Sequence, residues 1–331
     1  MNLRPQIPVN PLGGAAILCA LVVLAPGCDR RRSQAPDWVA SMPPATVMAL
    51  SGRAGWILEQ PEFQAFLEKF PMADQALDLF LKRAHVNPHQ ETGRISLYVL
   101  GLPPATAKGP DLAQAEFLVQ VGGFKDQAAL NAAMVDAFPL EGSLTVGRQE
   151  LPLHVVLDVT PYHFRAMTDT QGRIWLGDLR TLAKLDAAPL PPRNPVAQAA
   201  EWINASAPFQ GIVRPQPILD GLGGRVPPDL ARNLPKGIDA LAWSVTPGGT
   251  GPTASHRFEL AATGSPQGVL EVAPWVQRFV AAASTVQGVG SAPDVLQEKG
   301  RIGLRCQLTG EQVNAALSRL CQPGVSFSAR P

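Results

Sequence analysis

Two near-identical pentapeptides, GRIWL at residues 172–176 and GRIGL at residues 300–304, each stand just before the last helix predicted in one half of the chain. In both, the glycine suits a turn, the arginine suits solvent, and the isoleucine and leucine share one face of a strand. We interpret them as equivalent strands of a duplicated module. The alternative is that Gly-Arg-Ile openings are simply good turn-to-strand sequences. A third copy, GRISL at residues 93–97, comes earlier in its half and is interpreted as coincidence.

A second recurrence favours the same interpretation. Residues 117–123 and residues 258–264 both begin with phenylalanine and end with glycine at the same spacing. Each stretch precedes a helix with a predicted N-cap, which is Asp126 in the first half and Ser265, followed by proline, in the second. The two halves therefore share a strand-then-helix order as well as a pentapeptide.

The remaining pattern predicts strands interspersed with helices in each half. The strongest helical periodicity covers residues 62–83, which Pro71 splits or kinks. The sequence therefore predicts an α+β fold of two related modules, residues 45–186 and 205–331, each an antiparallel sheet packed with helices. Residues 187–204 are rich in proline and are predicted to be a linker.

The composition argues against a nucleic-acid partner. Charged residues make up 17% of the 331, hydrophobic residues make up 46%, and the formal net charge is +1. Proteins that bind nucleic acid normally carry a basic stripe or a strongly basic domain, which this sequence lacks. The sequence also lacks a phosphate-binding loop and a serine nucleophile elbow, so no cofactor is predicted.

The N-terminus, MNLRPQIPVNPLGGAAILCALVVLAPGC at residues 1–28, has the order of an export signal. Arg4 and the free amine supply positive charge, and residues 13–24 form an apolar run too short to span about 30 Å of hydrocarbon comfortably. Small Gly27 then stands directly before Cys28. This arrangement resembles the lipobox of bacterial lipoproteins, and the resemblance covers these 28 residues only.

The lipoprotein resemblance implies an address and an anchor. Residues 1–27 would be the signal peptide, Cys28 would carry the lipid, and residues 28–44 would be a tether. The protein would sit in the bacterial cell envelope, anchored to a membrane and facing the periplasm. In this family an aspartate after the cysteine, here Asp29, often accompanies retention in the inner membrane. The alternative is an uncleaved anchor in which Cys28 is an ordinary thiol.

Two further cysteines, Cys306 and Cys321, could form a disulfide in an oxidising compartment. Measured from the helix cap expected at Thr309, Cys306 lies about 10 Å back along a strand and Cys321 about 18 Å along a helix. If the helix folds back on the strand, this difference exceeds the limit of about 7 Å between the Cα atoms of a disulfide. We therefore expect two buried thiols, with the disulfide as the alternative.

The histidines give weak indications of chemistry. His85 and His89, with Glu91, could sketch a metal site, but Pro88 breaks the helical face and no third protein ligand is placed, so no metal is predicted. In residues 153–159, alternation puts His154 and Asp158 together on an exposed strand face. The two are about 13 Å apart along the strand, too far for a catalytic pair. No catalytic residue is predicted.

The function expected from these features is non-catalytic. We predict a lipid-anchored envelope protein that binds or scaffolds a partner, which would be an envelope protein or an apolar ligand. The alternative is an envelope hydrolase whose active site is dispersed along the sequence. A pocket with converging histidine and acidic groups would favour the hydrolase, whereas an apolar patch would favour binding.

Overall fold

The computed structural model describes twelve stretches of the chain, which are residues 36–59, 82, 93–101, 116–123, 126–159, 162–186, 194–222, 236–248, 254–283, 294–298, 300–309 and 312. The predicted signal peptide, Cys28 and Cys321 lie outside the described residues. So do the metal candidates His85, His89 and Glu91, and all of the predicted 62–83 helix except Lys82.

The fold is α+β and rich in strands, which confirms the predicted class. The strands are β1 (Met48–Arg53), β2 (Arg94–Gly101), β3 (Glu116–Gly122), β4 (Leu140–Val146), β5 (Gln149–Val159), β6 (Tyr162–Thr168), β7 (Ile174–Gly177), β8 (Phe209–Val213), β9 (Ile238–Thr246), β10 (Ser255–Gly264), β11 (Asp294–Glu298) and β12 (Arg301–Thr309). Each neighbouring pair is antiparallel.

All twelve strands belong to one sheet, in the order β11-β12-β10-β9-β8-β1-β2-β3-β7-β6-β5-β4. The prediction of a separate sheet for each half is therefore wrong. The two halves join because β1, the first strand of the described residues, pairs with β8, the first described strand after the predicted linker. Leu50 lies opposite Gly211 at the middle of this pair.

Seven helices of the described part pack on the sheet. They are α1 (Asp37–Ala40), α2 (Ala54–Glu59), α3 (Gln127–Ala137), α4 (Leu179–Leu182), α5 (Pro195–Ala200), α6 (Pro215–Leu222) and α7 (Pro266–Ala283). The predicted caps are present, since Asp126 accepts from the Ala129 amide at 2.9 Å and Ser265 from the Gly268 amide at 3.0 Å. Within the described residues, no helix combines the length and the apolar character that crossing a membrane requires.

Helices cover both faces of the sheet. On the first, called the α1–α5 face, strand residues such as Tyr98, Leu118 and Ile212 pack in one buried cluster with Trp38 of α1 and Ala199 of α5. On the second, called the α3–α7 face, α3 covers the first half and α7 covers the second, each with its own buried cluster. The α1–α5 cluster extends across both halves, so the two halves share one core on that face.

Two segments that the sequence predicted to be connections pack on this shared face. Pro36 precedes α1, whose Trp38 and Val39 are buried, inside the predicted tether. Pro195 opens α5, which is capped by the Asn194 side chain, inside the predicted linker. Proline is well suited to the first turn of a helix, because its fixed φ matches the helix and its missing N–H has no intrahelical acceptor there. The starts of α1 and α5 were thus interpreted from the sequence as parts of a tether and a linker.

Turn glycines open the two repeated pentapeptides. Gly172 and Gly300 adopt φ of 71° and 76°, the left-handed region that other residues rarely enter. Each glycine leads directly into a strand, β7 and β12 respectively. The positive φ explains why glycine stands at the first position of both pentapeptides.

Candidate functional site

A strip of buried polar side chains crosses the middle of the otherwise apolar α1–α5 face. All its members are at most 4% exposed. We call it the central polar strip, and it consists of Ser51, Ser96, Tyr98, Gln120, Gln210, Ser244 and Glu259. Buried polar groups persist when they are hydrogen-bonded, so their partners indicate what the strip does. At its centre, the hydroxyls of Ser51 on β1 and Ser96 on β2 lie 2.7 Å apart.

Trp38 joins the N-terminal segment to the strip. Its indole Nε1 donates to Gln210 Oε1 at 2.5 Å, across 172 residues of sequence. The amide nitrogen of Gln210 in turn lies near three backbone carbonyls of the turn before β8, those of Asn204 at 3.0 Å, Ala205 at 2.7 Å and Ala207 at 3.2 Å. One glutamine therefore holds α1, β8 and this turn together.

Tyr98 makes a second connection to α1. Its hydroxyl hydrogen can be accepted by the Trp38 carbonyl at 3.0 Å or by Gln120 Oε1 at 2.9 Å. The Gln120 amide donates to Ser41 Oγ at 3.0 Å, at the end of α1. Burial raises the pKa of Tyr98 to about 12, so the phenol stays protonated and remains a donor.

The strip ends at a buried carboxylate, Glu259 on β10, which is 2% exposed. Ser244 Oγ donates to it at 3.1 Å, and the guanidinium groups of Arg257 and Arg305 approach it at 3.3 and 3.4 Å. A buried carboxylate needs such compensation, because removing it from water carries a large desolvation cost. These contacts tie β9, β10 and β12 together, so the whole strip has a structural role.

A second polar group lies on the outer hairpins of the first half. Its acidic residues and its histidine are exposed, whereas its arginine is buried. We call it the outer charged cluster, and it consists of Glu141, Asp158, His163 and Arg165. Arg165 donates through Nε and Nη2 to the two oxygens of Glu141, and its Nη1 lies 3.7 Å from Asp158 Oδ1. Asp158 also contacts His163 Nδ1, and both of these side chains are about half exposed.

The hydrogen bonds of the outer charged cluster shift its pKa values. The hydrogen bond from Arg165 lowers the pKa of Glu141, and the hydrogen bond from His163 lowers the pKa of Asp158. An aspartate that orients a histidine ring is one component of a general-base dyad. Here the dyad faces water, which competes for its hydrogen bonds and weakens the electrostatic coupling that catalysis requires.

The predicted placement of His154 is wrong. We expected His154 and Asp158 on one exposed face, but His154 is 2% exposed and its Nδ1 lies 3.2 Å from the Phe138 carbonyl. A register shift between Val155 and Leu157 is the reason, since one extra residue in a strand reverses the alternation beyond it. The carboxylate of Asp158 instead meets His163, which pairs with it across the hairpin.

The remaining candidates are scattered. Within the residues that the structure describes, no three histidine, cysteine or acidic side chains group as a metal site would require. His256 lies on β10, in the other half from His154 and His163. Cys306 is a buried thiol whose pKa is raised to about 12 by burial, so it stays protonated. Because Cys321 is outside the described residues, the expectation of two buried thiols, with a disulfide as the alternative, stays a prediction.

Sequence reasoning missed the central polar strip. The sequence alone does not decide whether Trp38 docks on the body of the protein or on the membrane. A signal was nevertheless present, because Ser96 and Gln120 occupy strand positions flanked by apolar residues. Their partners could not be read from the sequence, since they lie 22 to 79 positions away.

Comparison of the chain with models of known protein families, with curated proteins and with solved structures finds no match.

Proposed function

We propose that the protein is a lipid-anchored protein of the bacterial cell envelope that binds or scaffolds a partner without catalysing a reaction. The lipid would be attached to Cys28, and the body would face the periplasm. Asp29 favours the inner membrane. Of the two partner types, an envelope protein is better supported than an apolar ligand, because the polar groups and core of the described face are already occupied by α1 and α5.

The observation that carries this proposal is the docking of α1 directly after the lipobox-like segment. Pro36, which begins the packed part of the chain, lies eight positions after Cys28. A fully extended segment of this length spans about 29 Å. A lipid on Cys28 would therefore hold the sheet close to the bilayer surface, with α1 and the central polar strip transmitting that attachment to both halves.

We also propose that the two halves arose by duplication, and the strand order supports this. Outward from the central pair, β1, β2, β3 and β7 on one side correspond to β8, β9, β10 and β12 on the other. The pentapeptides lie in the fourth strand on each side. GRISL lies in the second strand of the first half, consistent with its interpretation as coincidence.

The registers of the strands support the same proposal. In β3, the residues two and four positions after Phe117 pair with the leucine and isoleucine of GRIWL. In β10, the residues two and four positions after Phe258 pair with the leucine and isoleucine of GRIGL. A shared register is a stronger argument than a shared pentapeptide, because it requires two strands to agree.

The central pair adds a third argument. A two-fold rotation axis that passes between Leu50 and Gly211 would superpose β1 on β8. On one side of this axis the Arg53 amide donates to the Pro208 carbonyl, and on the other the Arg214 amide donates to the Val47 carbonyl, both at 2.8 Å. The halves are thus arranged as two copies of one module would be in a two-fold dimer.

Lipidation is tested by replacing Cys28→Ser and feeding cells a labelled fatty acid. We expect the wild type to be labelled and membrane-bound, and the variant to be unlabelled and released from the membrane fraction. Cys19→Ser, in the apolar run, is the matched control and should remain labelled. Unchanged membrane association of Cys28→Ser together with an unlabelled wild type would refute the lipid anchor.

The hydrolase alternative has one observation in its favour, the contact between Asp158 and His163. Its test is hydrolysis of a chromogenic ester by the full chain. Activity that disappears in His163→Gln and persists in His256→Gln would favour the hydrolase. Equal rates in the wild type and both variants would favour the binding role.

A further inference from the structure

Two arginines lie directly opposite each other where β1 ends and β2 begins, in the middle of the sheet. They are Arg53 and Arg94, and we call them the arginine pair. Directly opposite residues of an antiparallel pair lie on the same face, with Cβ atoms about 5 Å apart, and like charges there are unfavourable. Arg53 is exposed and Arg94 is half-buried. Their mutual repulsion therefore needs a compensating group.

Other arginines of the sheet have acidic partners. Five of them lie in a strand or directly before one, at most 3.8 Å from a carboxylate oxygen, and they are Arg165, Arg173, Arg257, Arg301 and Arg305. Within the part of the chain that the structure describes, neither member of the arginine pair has such an ion pair. Instead, Nη2 of Arg94 donates to the Ala207 carbonyl at 2.6 Å. The arginine pair is thus a concentration of positive charge without a carboxylate in contact.

The electrostatic surroundings of Arg94 point the same way. Burial, followed by the positive charge of Arg53, lowers the pKa of Arg94 to about 10, while Tyr98 and Asp37 act in the opposite direction. The guanidinium remains charged at neutral pH, so its charge has to be stabilised by its surroundings. An anion held between the two guanidinium groups would compensate for both the burial and the repulsion.

The corresponding place in the second half has a single arginine. Arg214, directly after β8, corresponds to Arg53, and the neighbouring position on β9 is Ala240, which is buried. The guanidinium of Arg214 donates through Nη1 to the Pro44 carbonyl at 3.1 Å. The two-arginine arrangement therefore distinguishes the first half from the second.

The arginine pair lies where the N-terminal segment joins the body. Asp37, whose charge acts on Arg94, is the first residue of α1. In the sequence, an arginine triplet at residues 30–32 stands between Cys28 and α1. A lipid on Cys28 would bring this triplet to the headgroups of the bilayer and keep the arginine pair near them. Basic residues close to a bilayer surface are attracted to anionic lipids.

We propose that the arginine pair binds the phosphate group of an anionic phospholipid in the membrane that holds the protein. This inference rests on the proposed lipid anchor and names the lipid class that the body of the protein contacts. A guanidinium presents a fork of N–H donors that matches phosphate geometry, and two neighbouring guanidinium groups can share one phosphate. The position beside the tether favours a lipid phosphate over a soluble anion or an acidic protein.

The test uses the full chain in vesicles and phenylglyoxal, a reagent that modifies accessible arginines. The vesicles contain phosphatidylcholine alone or equal parts of phosphatidylcholine and phosphatidylglycerol, and mass spectrometry follows each arginine separately. We expect Arg53 to react about fivefold more slowly in the vesicles with phosphatidylglycerol. Arg180, which is exposed in α4 beyond the far end of β7, is the internal control and should react equally fast in both.

A variant tests whether the two arginines act together. In Arg94→Gln, the slowing of Arg53 modification by phosphatidylglycerol should fall towards unity. Arg180→Gln is the matched control variant and should keep the wild-type slowing. A folded Arg94→Gln chain with undiminished slowing would overturn the shared site. If Arg94→Gln loses the wild-type thermal transition, the comparison of Arg53 with Arg180 in the wild type still decides the proposal.

Two soluble anions distinguish the lipid from other sources of negative charge. Inorganic phosphate or a hexaglutamate peptide is added to the chain in phosphatidylcholine vesicles. If phosphate slows the modification of Arg53 as strongly as phosphatidylglycerol does, the ligand is a soluble phosphate. If the peptide does so, the ligand is an acidic protein. Either result would overturn the lipid proposal, as would equal rates for Arg53 in both vesicles or equal slowing of Arg180.

The fatty-acid labelling of the wild type keeps this test separate from the anchor. An unlabelled wild type in which phosphatidylglycerol slows the modification of Arg53 would refute the anchor alone. A labelled, membrane-bound wild type in which Arg53 reacts equally fast in both vesicles would refute the phospholipid site alone.

Discussion

The central polar strip and the outer charged cluster use similar chemical groups under opposite conditions. Around Trp38, Tyr98 and Gln210, water is excluded, and the hydrogen bonds that Trp38 makes with Gln210 and with Tyr98 connect residues 172 and 60 positions apart. In the outer charged cluster, water reaches Glu141, Asp158 and His163, and only Arg165 is buried. The contacts of this cluster join strands of two adjacent hairpins. Losing a hydrogen bond costs far more where the remaining partner is buried than where water replaces the lost group. Burial, and not the kind of residue, therefore separates the two clusters.

The largest effect that would test this contrast is expected from Trp38→Ala. It removes a buried aromatic side chain and leaves Gln210 Oε1 without its donor, so we expect a loss of about 3–5 kcal/mol in the free energy of unfolding. Denaturant titration of the full chain measures it. Trp38→Phe is the control, because it keeps most of the bulk and removes the donor, and it should lose less. Equal stability of wild type and Trp38→Ala would show that α1 contributes little to the fold.

A smaller effect is expected from Tyr98→Phe. The ring stays buried, but the Trp38 carbonyl and Gln120 Oε1 lose a donor, which should cost about 1–2 kcal/mol. Combining it with Gln120→Met removes both members of one pair. If the buried hydrogen bond is the cause, the double variant should lose less stability than the sum of the two single variants. Strict additivity in denaturant titrations would argue against it.

The smallest effect is expected in the outer charged cluster. Because the pKa values of Glu141 and Asp158 are lowered in the folded protein, their contacts add stability above the pKa of the unfolded chain, about 4, and lose it as the pH falls through the folded values. The double variant Glu141→Gln with Asp158→Asn should therefore unfold slightly earlier than wild type at pH 7. The two curves should converge as the pH falls through the lowered pKa values of the two carboxyl groups in the folded protein. A stability difference that grows on acidification would contradict this assignment.

Much of the strand pattern could be predicted from the sequence. Alternation identified β3 and β10, because alternate apolar residues of each strand, such as Val121 and Phe258, face the core beneath α3 and α7. The strands β4 and β11 were missed, since they lie at the edges, are exposed on most positions and carry glycine or charge where a buried strand would be apolar. Their pairing is decided by neighbouring strands, which a local pattern does not record.

For a related reason, local sequence patterns could not predict that the two halves join into one sheet. Leu50 and Gly211 are paired although 161 positions separate them, and neither flanking sequence identifies the other as its partner. The central polar strip could not be predicted for the same reason. Ser96 and Gln120 interrupt apolar strands in a way the sequence reveals, but their hydrogen-bond partners, Ser51 for Ser96 and Tyr98 with Ser41 for Gln120, reach them only once the sheet has formed.

The position of β1 at the middle of the sheet has a consequence for the order in which the chain folds. As the N-terminal strand it is synthesised early, and it can pair with β2 as soon as the first hundred residues are available. Its other edge stays open until residue 213 has followed. Non-local pairing of this kind slows folding and leaves a strand edge exposed in the meantime. A chain that is interrupted between β7 and β8 would therefore present the middle of its sheet as a free edge.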